Sequence, residues 1–324
     1  MMNDIESRLD LSAFSQRVDE LKAKIGEVVV GQQQAVDLIL TALLANGHVL
    51  IEGVPGVAKT LTARLVAKLI DAEFSRIQFT PDLMPSDVLG TSVFNLKTSE
   101  FDFHKGPIFS EIVLIDEINR APAKTQAALF EVMEERQVTV DGVTRKMGDT
   151  YMVLATQNPV EHEGTYRLPE AQLDRFLVKI VMDYPSLEQD LEILCRHHQN
   201  IALTRLGEVQ PLLSKVDIAA FRQLVSRVVV DESLLRYVAA ITVATRGTSA
   251  VYLGASPRAS VALLNAAKAF ALLQGRDFVI PDDVKFLAVP VLQHRIVLSP
   301  ETEMSGKNAA AVVRQLVDSV EVPK

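Results

Sequence analysis

The sequence predicts an α/β fold in which a parallel five-stranded sheet is followed by a helical domain. Short apolar segments that predict the five strands begin at or near His48, Phe74, Glu111, Thr150 and Phe176. The segment at 112–115 has four apolar residues in succession, which favours a strand buried on both faces, as in a parallel sheet. Beyond Pro185 the apolar residues recur at helical spacing instead. These observations predict an α/β domain over 1–184 and a helical domain over 185–324.

Composition limits the class of protein. The length of 324 residues suggests about two domains. An excess of acidic over basic residues, 41 against 33, disfavours a broad surface for nucleic acid or anionic membranes. The single cysteine, Cys195, excludes an internal disulfide, and its helical context predicts a small packed side chain. No apolar segment approaches the ~18 residues of a membrane span and the start lacks an apolar signal core, so we expect a cytoplasmic protein.

A phosphate-binding loop is predicted after the first strand. The segment Gly53-Val54-Pro55-Gly56-Val57-Ala58-Lys59-Thr60 separates that strand from an Ala/Leu-rich helix over Leu61 to Ile70. In such a strand–loop–helix unit, backbone N–H groups and the helix dipole face the phosphates. Lys59 would reach the β- and γ-phosphates, and Thr60 would offer its hydroxyl to Mg²⁺.

One position of this loop departs from the usual pattern. The motif G-x-x-x-x-G-K-[ST] has a second glycine where this chain has Ala58. Alanine lacks the free access of glycine to positive φ. The loop must therefore hold Ala58 at negative φ or carry some strain.

Polar residues follow the third and fourth predicted strands. Asp116 and Glu117 end the third strand, and Asn158 follows the fourth. Ligands of open α/β sheets bind at the carboxyl ends of the strands. Asp116 can therefore hold the Mg²⁺ shell and Glu117 can polarise an attacking water. Asn158 is either a turn residue or a group that orients a water near the γ-phosphate.

Two β-hairpins are predicted between the strands. Residues 94–103 alternate apolar and polar side chains on either side of Thr98-Ser99, which predicts a two-residue turn. Asp141-Gly142 lies between two further strand-like segments and suits a type I′ turn. The stretch from Pro81 to Gly90, with two prolines, is predicted as a loop.

Three other polar groups have simple interpretations. Glu161-His162-Glu163 lacks a second histidine at ligand spacing, and we expect a solvated loop. The adjacent His197-His198 point to different faces of a helix and make a poor ligand pair. Arg258 lies in the first turn of a helix that begins at Ser256-Pro257, where a basic residue is slightly unfavourable against the dipole. That position hints at a role, although a lone surface arginine is the simpler interpretation.

Four ordered segments together resemble the MoxR family of AAA+ ATPases, and the resemblance runs from about Val30 to the C-terminus. The segments are Glu52 to Thr60, Ile115-Asp116-Glu117-Ile118-Asn119-Arg120-Ala121, Ala155-Thr156-Gln157-Asn158-Pro159 and Leu168 to Phe176. Ala58 matches the usual loop of this family. The resemblance implies an AAA+ α/β core with hairpin inserts at 94–103 and 137–150, followed by a helical lid.

The resemblance also implies roles for single residues. Asn158 would be sensor 1, Arg175 the arginine finger and Arg258 sensor 2. Val30-Gly31-Gln32 would lie near the adenine, and nucleotide contacts would extend through the loop to Leu61. Family members usually form rings, here expected as a hexamer. They act as chaperone-like remodellers of protein clients, often together with von Willebrand factor A-domain proteins.

These inferences predict Mg²⁺-dependent ATP hydrolysis that drives remodelling or assembly of protein partners. Water would attack the γ-phosphate while Mg²⁺, Lys59 and Arg175 stabilise charge. The sequence contains no Asn-Lys-x-Asp motif, which favours ATP over GTP. Two alternatives stay open: a nucleic-acid-associated motor and a nucleotide-binding scaffold with little turnover. Basic and acidic residues alternate in the first hairpin, and only Arg145-Lys146 is a basic pair, which counts against the motor.

Overall fold

The computed structural model describes residues 9–54, 56–158, 166, 168–199 and 208–323. Contacts between Cα atoms divide the chain into two compact units. One comprises residues 24–219, and the other comprises residues 1–23 together with 220–324. This division lies C-terminal to the predicted domain boundary at 184/185, which stays a prediction.

The secondary structure alternates strands and helices up to β9 and is mostly helical afterwards. The strands are β1 (His48–Gly53), β2 (Phe74–Gln78), β3 (Gly90–Asn95), β4 (Glu100–Lys105), β5 (Ile112–Asp116), β6 (Gln137–Val140), β7 (Val143–Lys146), β8 (Met152–Gln157), β9 (Phe176–Met182), β10 (Val251–Leu253) and β11 (Val297–Leu298). The helices are α1 (Ser12–Val28), α2 (Gln33–Leu44), α3 (Lys59–Leu69), α4 (Pro85–Leu89), α5 (Ala123–Glu135), α6 (Glu170–Leu173), α7 (Leu187–His198), α8 (Lys215–Arg227), α9 (Glu232–Ala244), α10 (Pro257–Leu273), α11 (Pro281–Leu292), α12 (Pro300–Met304) and α13 (Ala309–Ser319).

The central sheet confirms the predicted five parallel strands. Its order is β2-β5-β8-β1-β9, and each neighbouring pair is parallel. Every residue of β5 is buried, as its unbroken apolar sequence predicts. Parallel strands place all their carboxyl ends at one edge, so the residues that follow β1, β5 and β8 meet on the same side of the sheet.

A buried histidine ties two layers of this unit together. The Nδ1 atom of His48 accepts a hydrogen bond from the Val153 amide at 3.0 Å, so the proton of the neutral ring lies on Nε2. Nε2 lies 3.1 Å from the carbonyl oxygen of Met133 and donates to it. One ring therefore joins β1 to β8 and to the C-terminal part of α5.

The two predicted hairpins are present, with one correction. The second has the two-residue Asp141-Gly142 turn, with both residues at positive φ, 53° and 76°. For the first hairpin, the predicted two-residue turn is wrong. β3 pairs with β4 from Asn95 opposite Glu100, which leaves four residues between the strands. Ser99 takes the positive φ of 56° that closes this longer turn.

The hairpins also contact each other. The Ser92 hydroxyl on β3 donates to the Asp141 carboxylate in the β6–β7 turn. The Arg145 guanidinium on β7 lies 3.8 Å from the centre of the Phe103 ring on β4, a cation–π contact. The two inserts are therefore linked to one another.

Two local expectations are corrected. The stretch from Pro81 to Gly90 is not all loop, because Pro85 opens the short helix α4, where proline at the first position loses no hydrogen bond. Cys195 is exposed rather than packed, since α7 buries none of its side chains. His197 and His198 are exposed on the same helix. Glu161-His162-Glu163 lies outside the described residues.

The second unit is helical with one small ribbon. β10 and β11 pair antiparallel, a ribbon that the helical interpretation of the sequence missed. Arg276 makes a two-pronged ion pair with the buried Asp283 at the start of α11, with N–O distances of 2.5 and 2.8 Å. Among the helices of the described ranges, none is both long and apolar enough to cross a membrane.

Candidate functional site

The loop between β1 and α3 has the shape of a phosphate cradle. A Cβ on Gly53 would lie 2.6 Å from the carbonyl oxygen of Met182 on β9, so only glycine fits this close approach. Gly56 has a φ of +88°, and a Cβ there would meet no atom within 4 Å. Open space above a glycine in a left-handed conformation leaves room for a phosphate beside the backbone. Pro55 lies outside the described residues.

The lysine of the loop is folded back on its own backbone. Lys59 opens α3, and its Nζ donates to the carbonyl oxygen of Gly53 at 2.6 Å. A bound γ-phosphate would compete with that carbonyl for the ammonium group. Thr60 and Leu61 follow in the first turn of α3, both half-buried.

Ala58 resolves the question that the sequence raised. It has φ 60° and ψ 20°, a left-handed conformation immediately before α3. This conformation costs an L-residue with a Cβ roughly 1–2 kcal/mol relative to right-handed backbone. The loop therefore carries strain at Ala58, and negative φ is excluded.

The segment predicted to lie near the adenine precedes α2. Gly31 has a φ of +75°, and a Cβ there would lie 2.5 Å from Cδ of Gln189 on α7. Val30 and Gln32 are half-buried on either side of it. The structure thus brings the start of α7 against this segment, whereas its contact with a base stays a prediction.

Asp116 ends β5 in a hydrogen-bonded setting. Its side chain is almost fully buried, and Oδ1 accepts a hydrogen bond from the Thr156 hydroxyl of β8 at 3.1 Å. Oδ2 lies 2.5 Å from Nε of Arg76 on β2. Both carboxylate oxygens therefore have a partner, each from a different neighbouring strand.

Glu117 follows in a strained conformation. It has φ 58° and ψ 51°, a left-handed backbone that is uncommon in non-glycine residues and tends to occur at functional sites. Its amide donates to the same Thr156 hydroxyl at 3.1 Å. Its carboxylate forms an ion pair with Nε of Arg120 at 2.9 Å. The Glu117 carboxylate is therefore paired with a residue three positions later in the chain.

Asn158 lies at the same edge of the sheet. It directly follows β8, which runs between β5 and β1, and it is buried. The phosphate loop, the two acids and Asn158 therefore all follow three adjacent strands of one sheet, as the sequence predicts.

Arg175 is held elsewhere. Its guanidinium donates to the carbonyl oxygen of Phe130, lies 5.9 Å from the centre of the Phe130 ring and is 3.9 Å from the Glu134 carboxylate. These are residues of α5, and together with Glu131, Glu135 and Gln172 they line a cavity of about 320 Å³. Among the described residues, the side-chain partners of Arg175 are on α5 and none belongs to the phosphate loop.

Arg258 belongs to the other compact unit. It lies in the first turn of α10, after Pro257 at the first helical position, as the sequence predicts. Its relation to a nucleotide stays a prediction.

Three residues at the site were missed by sequence reasoning. Thr156 and Arg120 both lie in segments that resemble the family, but neither residue type at its position indicates a role by itself. Arg76 gave no signal, because its pairing with Asp116 spans 40 positions and depends on β2 lying next to β5.

Comparison with known proteins assigns the chain to a family. Residues 48–178 match the ATPase family associated with various cellular activities, and residues 243–316 match the AAA lid domain. The Mycobacterium tuberculosis protein named Chaperone MoxR1 is 43% identical over 93% of this chain and 81% of its own length. The chain belongs to the MoxR family of AAA+ ATPases. The predicted α/β core with a helical lid is thereby confirmed.

Other relatives match over more than nine-tenths of this chain. A Bacillus subtilis protein, YeaC, is 51% identical over 92% of both chains, and Protein MoxR of Paracoccus denitrificans is 31% identical over 96% of both. A crystal structure of a candidate ATPase from Cytophaga hutchinsonii superimposes with a TM-score of 0.89 at 41% identity, covering 96% of each chain. The similarity to this solved structure therefore includes both the α/β core and the helical lid.

Proposed function

We propose that this MoxR protein hydrolyses ATP with Mg²⁺ at the carboxyl edge of its sheet and uses the energy to remodel protein partners. The observation that carries the proposal is the linkage of Asp116 and Glu117 through one hydroxyl of β8. That strand lies directly between the acids and the strand that leads into the phosphate loop. An acid pair fixed beside a phosphate cradle is the arrangement that phosphoryl transfer to water requires.

The residues present fit a nucleotide and Mg²⁺. The open space at Gly56 suits a phosphate, and Thr60 with Asp116 supplies oxygen donors, which Mg²⁺ prefers. When bound, the ion would neutralise charge on the β- and γ-phosphate oxygens. Nowhere in the part of the chain that the structure describes do three or more His, Cys, Asp or Glu side chains group as a different metal centre would need.

Each side chain has a definable task in the reaction. The oxygen of water bonds to the γ-phosphorus while the bond to the β–γ bridging oxygen breaks, and that oxygen leaves with ADP. Glu117 accepts the proton of the attacking water, and Asn158 orients that water. Lys59 moves from the Gly53 carbonyl to the phosphates and offsets their charge.

Two arginines complete the proposal. Because Arg175 is held on α5 of its own chain, it would serve as a finger for a neighbouring copy in a ring, which we propose to be a hexamer. Arg258, on the helical lid, would sense the γ-phosphate and couple nucleotide state to lid position.

Partner proteins are the proposed targets. The relative from M. tuberculosis is named a chaperone, and the tip of the first hairpin exposes Leu96 and Phe101, which are 86% and 72% exposed. Exposed apolar groups on an insert suit contact with protein clients. On the family pattern, we propose that these clients include von Willebrand factor A-domain proteins. The nucleic-acid alternative is weakened because Arg145, half of the basic pair, is engaged on Phe103.

The proposal is tested by separating nucleotide binding from chemistry. Glu117→Gln should keep its affinity for a fluorescent ATP analogue and lose about 10²-fold or more in phosphate release. Lys59→Ala should lose binding itself, because the phosphates lose their countercharge. Glu232→Gln, on the exposed face of α9, is the matched control and should behave as wild type. Wild-type protein that binds ATP without releasing phosphate would favour the scaffold alternative, and equal turnover in Glu117→Gln would remove Glu117 from the chemistry.

A further inference from the structure

The hydroxyl of Thr156 lies between the two acids of the proposed site. Both acids bind to it: the hydroxyl donates to Oδ1 of Asp116 at 3.1 Å and accepts from the amide of Glu117 at 3.1 Å. Thr156 is 3% exposed and its hydroxyl is shielded from water. One bond joins β8 to the last residue of β5, and the other joins β8 to the residue that follows β5.

The direction of both hydrogen bonds is fixed by chemistry. An amide N–H can only donate, so Thr156 must accept from Glu117, and an ionised carboxylate can only accept, so the hydroxyl proton must point to Asp116. The hydroxyl uses its one proton and one of its lone pairs in this way. It has no alternative orientation that would satisfy both neighbours, and it therefore holds Asp116 in one rotamer.

The strand register places this hydroxyl where it is needed. β5 and β8 are parallel with Ile115 opposite Ala155, so the next residues, Asp116 and Thr156, lie side by side on the same face. The backbone turns into the left-handed region immediately afterwards, at Glu117. Left-handed backbone persists when the surroundings over-determine it, and the bond from the Glu117 amide to Thr156 is one such constraint.

We propose that Thr156 is a positioning residue for ATP hydrolysis. By one hydroxyl it orients the carboxylate that would hold the Mg²⁺ shell and fixes the turn that carries the proposed general base. This inference rests on the proposed function. It adds that the geometry of the two acids is set by the neighbouring strand and would be lost with the hydroxyl, even in a folded chain that still binds ATP.

The test compares two substitutions of this residue. Thr156→Val keeps the β-branched shape and removes the hydroxyl, leaving the Glu117 amide and Asp116 Oδ1 without this partner. We expect kcat for ATP hydrolysis to fall by about 10- to 100-fold, the range for residues that orient metal ligands. KM for ATP should stay within about twofold, and the Mg²⁺ concentration for half-maximal rate should rise. Thr156→Ser retains the hydroxyl and should recover most of kcat.

Controls separate this role from simple packing. Thr41→Val makes the same change at a fully buried threonine of α2, whose hydroxyl donates to the Asp37 carbonyl oxygen at 2.7 Å, and should leave kcat and Mg²⁺ dependence unchanged. If Thr156→Val does not fold, Thr156→Ala carries the same prediction, with retained binding of the ATP analogue as the sign of a folded site.

Two results would overturn the inference. One is a valine variant whose kcat and Mg²⁺ dependence match the wild type, and the other is a serine variant impaired as much as the valine variant. Glu117→Gln is measured alongside. If it is inactive while Thr156→Val is fully active, only the role of Thr156 fails. If Glu117→Gln itself turns over normally, the role of Glu117 in the chemistry fails, whereas wild-type protein that releases no phosphate would count against the proposed function itself.

Discussion

The acids at the end of β5 and the arginine at the start of β9 are held in opposite ways. Asp116 and Glu117 are fixed by neighbouring strands of the same sheet, through Thr156 and Arg76. Arg175 is held by a helix, through the Phe130 carbonyl and the Glu134 carboxylate. The first arrangement lies at the same edge of the sheet as the phosphate loop, whereas the partners of the second in the described residues belong to α5.

This difference separates two kinds of site residue. A residue that follows a buried parallel strand has its position determined by the sheet within one chain. A residue that would act on a second copy has no such constraint, and its own chain must hold it by other contacts. The contacts of Arg175 with α5 fit the second case.

The largest expected effect concerns Arg175. Arg175→Ala should retain the affinity for ATP and lose turnover by up to about 10³-fold, the lower end of the range for arginine fingers in GTPases. Arg236→Ala removes an exposed arginine from an ion pair on α9 and should leave turnover unchanged. The measurement is steady-state phosphate release together with thermal unfolding. An unfolding temperature that falls while turnover per folded protein stays constant would show that Arg175 only stabilises α5.

A smaller effect is expected at Arg76, through which a neighbouring strand of the sheet holds Asp116. Because its guanidinium lies 2.5 Å from Oδ2 of Asp116, Arg76 and Mg²⁺ compete for one carboxylate. Arg76→Ala should lower the Mg²⁺ concentration for half-maximal hydrolysis by up to about fivefold, the equivalent of about 1 kcal/mol for a partly exposed pair. Arg76→Lys keeps a positive charge and should lower this Mg²⁺ concentration by less. A Mg²⁺ requirement that rises in Arg76→Ala would contradict this competition.

The strain in the phosphate loop predicts a gain in stability. Ala58→Gly places glycine at φ 60° and should raise the free energy of unfolding by about 1 kcal/mol, measured by urea titration. Ala63→Gly makes the same change five positions later inside α3 and should lower that free energy by about 1 kcal/mol or more, because glycine is a poor helix former. If the free energy of unfolding changes in the same direction in both variants, the result would argue against strain at Ala58.

The smallest expected effect comes from an ion pair outside the site. Lys215 donates to Glu111 at 2.6 Å. Burial raises the pKa of Glu111, but the hydrogen bonds from Lys215 and the Glu73 amide outweigh it and leave the pKa below its usual value of 4.5. The same bond to Glu111 raises the pKa of Lys215 above 10.5.

The pH dependence follows from these directions. A lowered carboxyl pKa stabilises the fold above pH 4.5, and a raised lysine pKa stabilises it below pH 10.5. Lys215→Met should therefore lower the free energy of unfolding at pH 7 by about 0.2–1 kcal/mol, with the deficit shrinking as the pH falls through the folded pKa of Glu111. Lys24→Met, which breaks an exposed pair with Glu27, should lower the free energy of unfolding by less. If Lys215→Met lowers the free energy of unfolding by the same amount down to pH 3, the claim that Lys215 lowers the pKa of Glu111 is contradicted.

Much of the fold could be predicted because its signals are local. The apolar sequence of β5 and the Asp141-Gly142 turn each determine their own structure, and both were confirmed. The four-residue turn of the first hairpin was missed because the alternation of apolar and polar residues extends through Leu96 and Lys97 up to Thr98-Ser99, while the register is set by pairing between β3 and β4. The β10–β11 ribbon was missed because its strands are three and two residues long.

The site was predictable to a more limited degree. The backbone positions of Asp116, Glu117 and Asn158 follow from strand ends, which the sequence reveals. Their partners do not, because Arg76 and Thr156 come from adjacent strands and only the strand order determines which side chains meet. The left-handed backbone at Glu117 gave no signal either, since glutamate is not a residue that favours it.

The most direct test of the account mixes two inactive proteins. Arg175→Ala retains an intact phosphate loop, and Lys59→Ala retains an intact Arg175. Once labelled subunits are shown to exchange, hydrolysis is measured across mixing ratios. Single-turnover conditions are used because one complete site in an assembly then gives a measurable signal. The account predicts activity in the mixtures well above the sum of the two parents, with a maximum near equal amounts. Exchange without any gain at every ratio would contradict a site completed by a second copy of the chain.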